Sequence, residues 1–240
     1  MSVALRIEIY ADGANPEEMA AAYDQGMVKG FTTNPTLMRK AGVDDYTAFA
    51  KHIVKRFPGA PVSFSAPSDD FVGMEREARE ISSWGPAVFA KIPITNTQGE
   101  SSAPLIRTLA AAGVRVNVTA VATTEQVAEA ARNLRPDVPA IVSVFAGRIA
   151  DTGRDPVPVM QEALEILRPL PLAKLLWASP REVLNVVQAD NIGCHIITLT
   201  PDILRKLAWI GKDLTTLSLE TVRMFHDDAR AAGYVLGPKR

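Results

Sequence analysis

The chain has 240 residues, 47% of them hydrophobic and 22% charged, with a formal net charge of −1. That length allows one large domain or two small ones, and the near-neutral charge excludes the strong basic field of a nucleic-acid binder or a polybasic membrane-surface protein. A lone cysteine, Cys194, excludes an intrachain disulfide and a cysteine-rich zinc site. No apolar run is long enough to span a bilayer, and Met1–Arg6 lacks a signal peptide's apolar core, so a reducing, cytoplasmic setting is the simplest fit.

Strand-like and helix-like segments alternate along the chain. Arg6–Ala11 reads as a strand, followed by a helix over Pro16–Gln25 with Asn15 as N-cap and Pro16 at the first helical position. Val28–Thr32 is the second strand and Asp44–Phe57 the next helix. Strand Pro61–Ala66 leads to helix Asp70–Trp84, and strand Val88–Pro93 to helix Ser101–Ala112. Strand Val114–Thr119 precedes helix Thr124–Leu134, and strand Ala140–Phe145 precedes helix Pro156–Leu167. Strand Lys174–Ala178 is followed by helix Pro180–Ala189, strand Cys194–Leu199 by helix Pro201–Trp209, and a last helix, Leu217–Ala232, has no strand after it. Eight strand–helix units match the size of a (β/α)8 barrel, a TIM barrel, with one additional C-terminal helix. A doubly wound open sheet is the alternative, but it usually has fewer strands, and no Gly-x-Gly-x-x-Gly fingerprint follows the first strand. No linker, low-complexity stretch or charge block divides the chain, which predicts a single domain over residues 1–240.

The fourth strand contains a charge. Lys91 lies in Val88-Phe89-Ala90-Lys91-Ile92-Pro93-Ile94, an otherwise apolar run. An ammonium is costly to bury unless it is paired or its pKa falls, and a lysine held partly neutral is the nucleophilic amine that Schiff-base chemistry on a carbonyl needs. Taken alone, the segment fits equally a lysine that snorkels from a strand end or makes a buried ion pair.

In a parallel barrel the active site lies at the C-terminal ends of the strands, and unusual polar residues gather there. The first strand finishes at Asp12, the second at Thr32-Thr33-Asn34-Pro35, and the fifth places Arg115, Asn117 and Thr119 on one face. The sixth runs through Ser143 and Phe145 to Gly147-Arg148, and the seventh reaches Ser179 with Arg181 two residues on. Each has an ordinary structural reading: a turn cap, a buried hydrogen-bond partner, a surface arginine. A chance gathering of all of them at one rim is much less plausible. Glu8 shares a parity with Asp12, and Arg115 with Asn117, so Glu8 and Arg115 are expected to meet inside the lower barrel. The three histidines show no metal-ligand spacing.

These residues resemble the transaldolase family, including the short transaldolases and the fructose-6-phosphate aldolases. The similarity runs from about Ile7 to Phe225. It is carried by Asp12-Gly13-Ala14-Asn15, Gly30-Phe31-Thr32-Thr33-Asn34-Pro35-Thr36, Lys91-Ile92-Pro93, Asn117-Val118-Thr119, Ser143-Val144-Phe145-Ala146-Gly147-Arg148-Ile149 and Ala178-Ser179-Pro180-Arg181. The resemblance implies a (β/α)8 barrel that uses no metal and no organic cofactor, forms a homo-oligomer and acts on small sugar phosphates. In it, Lys91 attacks the ketone of a ketose phosphate, and the three-carbon dihydroxyacetone unit stays on Lys91 until an aldehyde accepts it. Asp12 is the acid/base for the hydroxyl proton and Thr119 positions the water used in imine formation. Asn34 and Asn117 hold the hydroxyls of the three-carbon unit, with Thr33 beside them. Arg148, Arg181, Ser143 and Ser179 clamp the phosphate.

Two positions depart from the family pattern. Ser65 stands where transaldolases carry a carboxylate and the aldolases an amide to activate the catalytic water; Asp69 or Asp70 is a candidate substitute. Trp177 stands where a small residue is usual, which expects either a ring in the substrate pocket or one facing the helices. Phe145, where the aldolases favour tyrosine, tilts the reading toward group transfer. Free aldol cleavage, action on a modified sugar, and a catalytically impaired sugar-phosphate-binding homologue are the alternatives.

Overall fold

The structure, a computed structural model, describes residues 5–237; Met1–Ala4, part of the segment read above against a leader peptide, lie outside them. Eight strands follow in chain order: β1 (Glu8–Asp12), β2 (Val28–Thr32), β3 (Val62–Ser65), β4 (Val88–Pro93), β5 (Val116–Val121), β6 (Ala140–Val144), β7 (Ala173–Trp177) and β8 (Ile196–Leu199). Each pairs parallel with the next, and β1 pairs parallel with β8, so the sheet closes into a barrel and the open-sheet alternative is excluded. Closure leaves no unpaired edge.

Helices α1 (Pro16–Asp24), α2 (Pro35–Lys40), α3 (Tyr46–Arg56), α4 (Phe71–Ser83), α5 (Ala103–Ala111), α6 (Thr124–Asn133), α7 (Ala146–Asp151), α8 (Val157–Leu167) and α9 (Leu184–Asn191) connect the strands, and α10 (Pro201–Lys206) follows β8. Their starts follow capping chemistry. Asn15 accepts from the amides of Glu17 and Glu18, Asp70 from that of Gly73, and Thr123 forms a reciprocal capping box with Gln126. α4 buries Met74, Ala78 and Ile81 at helical spacing, and full burial of Ile81 alone is worth about 2 kcal/mol. The short helices α2 and α7 were not anticipated, because six residues are too few to show a 3.6-residue period.

Tyr10, Phe89, Ile141, Leu176, Ala178 and Ile196 meet in one buried cluster inside the barrel, with Phe145 packed against it. This plug fixes the parity of the strands: residues in step with it point inward and their neighbours point to the helices. Gly30 makes room for the plug, since a Cβ there would lie 2.8 Å from both the Pro61 carbonyl oxygen and Tyr10 Cζ. Inward residues one or two positions past the plug line the C-terminal mouth. At the opposite end, Glu8 pairs with Lys174 (Nζ to Oε1, 2.5 Å) instead of the expected Arg115. Lys174 shares the inward parity of Leu176 on β7, and β8 alone separates it from β1.

The backbone divides into two compact units, one of Leu5–Arg205 holding the barrel and a C-terminal one beginning at Lys206. The second contains a 3-10 turn (Leu207–Trp209) and α11 (Leu214–Ala231), which Asp213 caps through the Thr216 amide. No residue of α11 is buried, and Leu219, Val222, Met224 and Phe225 are exposed along it. Among the described residues, no helix is long and apolar enough to cross a membrane, and no group of three or more His, Cys, Asp or Glu side chains is placed to hold a metal ion.

Candidate active site

Lys91 shares the inward parity of Phe89 on β4 and is only 8% exposed. Its Nζ donates to the Thr33 carbonyl at 2.9 Å. An ammonium has three N–H donors, and this environment gives it one partner. Burial accordingly pushes the Lys91 pKa below its ordinary value, while the carboxylate of Asp12 pulls in the opposite direction and loses. The amine therefore sits where its neutral, nucleophilic form is favoured, beside an acid.

Asp12 ends β1 with the inward parity of Tyr10. Burial raises its pKa, opposed by Lys91 and by a hydrogen bond from Thr32 Oγ1 to Oδ1 at 2.7 Å. A carboxyl group with a raised pKa beside an amine with a lowered one brings the two proton affinities closer together, which eases proton exchange at the site. Thr32 also contacts Thr198 on β8, oxygen to oxygen, at 2.5 Å.

Asn117 is fully buried in the opposite wall. Its Nδ2 donates to Ser63 Oγ at 3.0 Å and its Oδ1 accepts from Ser143 Oγ at 2.7 Å, so β3, β5 and β6 are tied together above the apolar plug. Ser143 was expected at the phosphate; the structure instead places it in the inner wall, 3% exposed, with its hydroxyl proton committed to Asn117. Thr119 Oγ1 is buried without a hydrogen-bond partner. The next residue, Ala120, has φ 60°, and the β5–β6 register shifts between Val118 and Val121. A bulge with a non-glycine residue in left-handed conformation costs of order 1 kcal/mol and re-aims the strand end.

Ser65 lies beside Lys91 in the β3–β4 register. Its carbonyl accepts from the Tyr46 hydroxyl at 2.7 Å. Neither proposed substitute acid is free to serve it. Asp69 accepts from the Thr97 amide and hydroxyl, and Asp70 caps α4.

At the rim, Asn34 caps α2 by accepting from the Leu37 amide at 3.0 Å, which occupies Oδ1 and leaves Nδ2. Thr33 is fully buried and contributes its carbonyl, since its hydroxyl donates to the Ser63 carbonyl. Arg148 lies 4.9 Å over the Phe145 ring. Arg181 makes a two-point ion pair with Asp151, Nε to Oδ1 at 3.0 Å and Nη2 to Oδ2. That pairing holds the Asp151 carboxyl below its ordinary pKa, with Arg148 adding to it. The two arginine-bearing loops are locked together, because a Cβ on Gly147 would fall 1.5 Å from the Ser179 carbonyl oxygen, and Ser179 has φ 57°. Trp177 does not join this group. Leu176 and Ala178 belong to the inner cluster, so Trp177 between them faces the helices, fully buried and with Nε1 unpartnered.

Outside the barrel, a cavity of about 250 Å³ between α1 and α10 touches Asp12 and is otherwise mostly apolar; Lys91 does not line it. Cys194 is buried with its thiol pushed up to about 12, and His195 accepts from the Leu175 amide, so both serve packing.

The model of the transaldolase/fructose-6-phosphate aldolase family matches residues 9–234. The chain belongs to this family. A probable transaldolase from Nitrosopumilus maritimus (strain SCM1) is 33% identical over 216 residues, 89% of this chain and 92% of the relative. One from Thermoanaerobacter sp. (strain X514) is 32% identical over 228 residues, 95% and 99% of the two chains. One from Roseiflexus castenholzii (strain DSM 13941 / HLO8) is 37% identical over 193 residues, 80% and 85%. Among solved structures, 2,3-dimethylmalate lyase superposes with a TM-score of 0.55 at 13% identity, covering 99% of this chain and 86% of that one. KGPDC from Streptococcus mutans gives 0.55 at 10% identity, covering 84% and 91%. Those two likenesses concern the barrel fold alone. Within this transaldolase-like site, sequence reading missed Ser63, Tyr46, Asp151 and Thr198. Each acts through a partner on another strand or loop, and inward parity on β3 and β8 was the available signal for Ser63 and Thr198.

Proposed function

We propose that the protein transfers a three-carbon dihydroxyacetone unit from a ketose phosphate to an aldehyde through a Schiff base on Lys91. The single observation that carries this reading is the Lys91 amine, buried, hydrogen-bonded once and depressed in pKa beside Asp12. Attack of the neutral amine on the ketone, loss of water and uptake of one proton, delivered by the Asp12 carboxyl group, give a protonated imine and leave Asp12 ionised. Asp12 removes the proton of the hydroxyl on the carbon beyond the bond to be broken. That O–H pair becomes the carbonyl of the departing aldehyde, and the carbon–carbon pair moves into the imine as an enamine. An acceptor aldehyde reverses the sequence. In this reading the unpartnered Thr119 hydroxyl holds the water of imine formation, and Asn117 and Asn34 Nδ2 hold hydroxyls of the three-carbon unit. Arg148, Arg181 and Ser179 take the phosphate, while Ser143 supports Asn117. Apolar residues exposed along α11 favour a homo-oligomer. The reading takes the whole chain as one functional domain, in the cytoplasm, with no cofactor and no nucleic-acid or membrane partner.

The test is a transfer assay with fructose 6-phosphate and an aldose phosphate acceptor. Product should form with the intact chain and not with Lys91→Met; no product under conditions where a control transaldolase works counts against the reading. A second reading, free aldol cleavage, stays open because Ser65 beside Lys91 matches neither the carboxylate of the transaldolases nor the amide of the aldolases. Dihydroxyacetone released without an acceptor would select it.

A further inference from the structure

The contact between Thr32 and Thr198 has a direction. Asp12, when ionised, can only accept, so the 2.7 Å contact from Thr32 Oγ1 to Oδ1 consumes the single hydroxyl proton of Thr32. At the 2.5 Å contact between the two threonines, Thr32 can then only accept, and Thr198 must donate. A one-way chain results, from Thr198 on β8 through Thr32 on β2 to Asp12 on β1. Thr198 is 5% exposed and Thr32 2%, so water does not readily replace either link. Asp12 Oδ2 takes no part in the chain and carries no hydrogen bond of its own.

We propose that Thr198 is a positioning residue for Asp12: by donating to Thr32 it directs the Thr32 hydroxyl onto Oδ1 and reserves Oδ2 as the oxygen that exchanges the substrate proton. The inference rests on the transfer reading above for its chemistry, but its geometry stands apart from it. In the cleavage direction Oδ2 takes the hydroxyl proton, the O–H pair forms the aldehyde, and the carbon–carbon pair enters the imine. Throughout, Oδ1 keeps its bond from Thr32, so the carboxyl group does not rotate between the two half-reactions. Hydrogen-bond chains polarise one another, so the Thr198 donor also strengthens the Thr32 bond to the ionised form. The other groups near Asp12 are Lys91 from β4, Tyr10 one turn of pleat below it on β1, and Glu18 of α1 and Arg205 of α10, which line the outer cavity it touches. None of them bonds Oδ1, so the two threonines act there alone.

The variants are Thr198→Val, which keeps the shape and removes the hydroxyl, and Thr198→Ser, which keeps the hydroxyl. The Asp12 titration is followed in the unliganded protein by carboxyl-carbon NMR, beside the pH profile of kcat. Thr198→Val should raise the Asp12 titration midpoint by about two to three tenths of a unit, because the Thr32 bond to Oδ1 survives and only its strengthening by Thr198 is lost, and should lower kcat near neutral pH about twofold. Thr198→Ser should restore both. An unchanged titration in Thr198→Val overturns the proposal, as does an equal shift in Thr198→Ser, which would make shape the cause. Because the titration needs no substrate, it decides the role of Thr198 whether or not transfer activity is found.

Discussion

Asn117→Ala tests whether the polar wall of the barrel mouth is built as described. Asn117 is fully buried, and its neighbours Ser63 and Ser143 are 1% and 3% exposed. Truncation removes two hydrogen bonds, each worth about 1 kcal/mol net, and strands two buried hydroxyls at about 1–3 kcal/mol apiece where water does not reach them. Water entering from the mouth recovers part of this, which leaves an expected loss of about 3 kcal/mol. A whole domain is stable by roughly 5–15 kcal/mol, so the loss is large. Ser143→Ala breaks one of the two bonds and should cost about 1–2 kcal/mol. The double variant should be more stable than the sum of the singles predicts, by about 1 kcal/mol, since one bond is counted twice. Urea unfolding at fixed protein concentration, with coincident probes to check two-state behaviour, measures all three. If Asn117→Ala unfolds within about 0.5 kcal/mol of the parent, the network spanning β3, β5 and β6 does not exist as drawn.

Further expectations concern the amine, the loop lock and the missing acid. Lys91 has a folded pKa below the 10.5 of the unfolded chain, so between those values the unfolded state binds more protons and stability rises with pH. Asp12 has the opposite sign: its folded pKa lies above 3.8, and its contribution falls as pH rises through that window. The difference in melting temperature between parent and Lys91→Met should therefore narrow as pH climbs from neutral toward 10.5, with the methionine variant the more stable near neutrality; a difference independent of pH contradicts the burial assigned to this amine. Gly147→Ala puts a carbon 1.5 Å from the Ser179 carbonyl oxygen and should cost about 3 kcal/mol or more, with KM for phosphorylated substrate rising; a neutral effect in thermal unfolding would mean the loops are not in contact. Ser65→Glu supplies a carboxylate beside Lys91, and a gain of about tenfold or more in kcat on fructose 6-phosphate would mark the parent as a transaldolase lacking its water-activating base, whereas no gain points to another substrate.

How much of this was readable in advance depended on whether the cause was local. β2 and β4 span the residues read from the sequence, Val28–Thr32 and Val88–Pro93. Asp12 ends β1, and Lys91, Asn117 and Thr119 share the inward parity of their strands, so a period of two and the rule for parallel barrels point them to one mouth. Trp177 defeated the same logic because its direction is set by the parity of β7, and only the inward packing of Leu176 and Ala178 reveals it. Ser143 was misplaced by one layer, since nothing in its neighbourhood announces that Asn117, across the register on β5, takes its proton. Glu8 could have met either of two cations, and strand order around the barrel decided for Lys174. The partnerships of Thr198 with Thr32 and of Asp151 with Arg181 join residues 166 and 30 positions apart, and a single chain carries no local trace of them.

Reductive trapping at Lys91 probes the account most directly. The protein is incubated with fructose 6-phosphate, treated with borohydride, digested and examined by mass spectrometry. The account predicts a reduced three-carbon adduct on the Lys91 peptide, lost in Lys91→Met and accumulating when the acceptor aldehyde is withheld. Modification spread over surface lysines, or an untouched Lys91 where a control transaldolase is fully trapped, would contradict it.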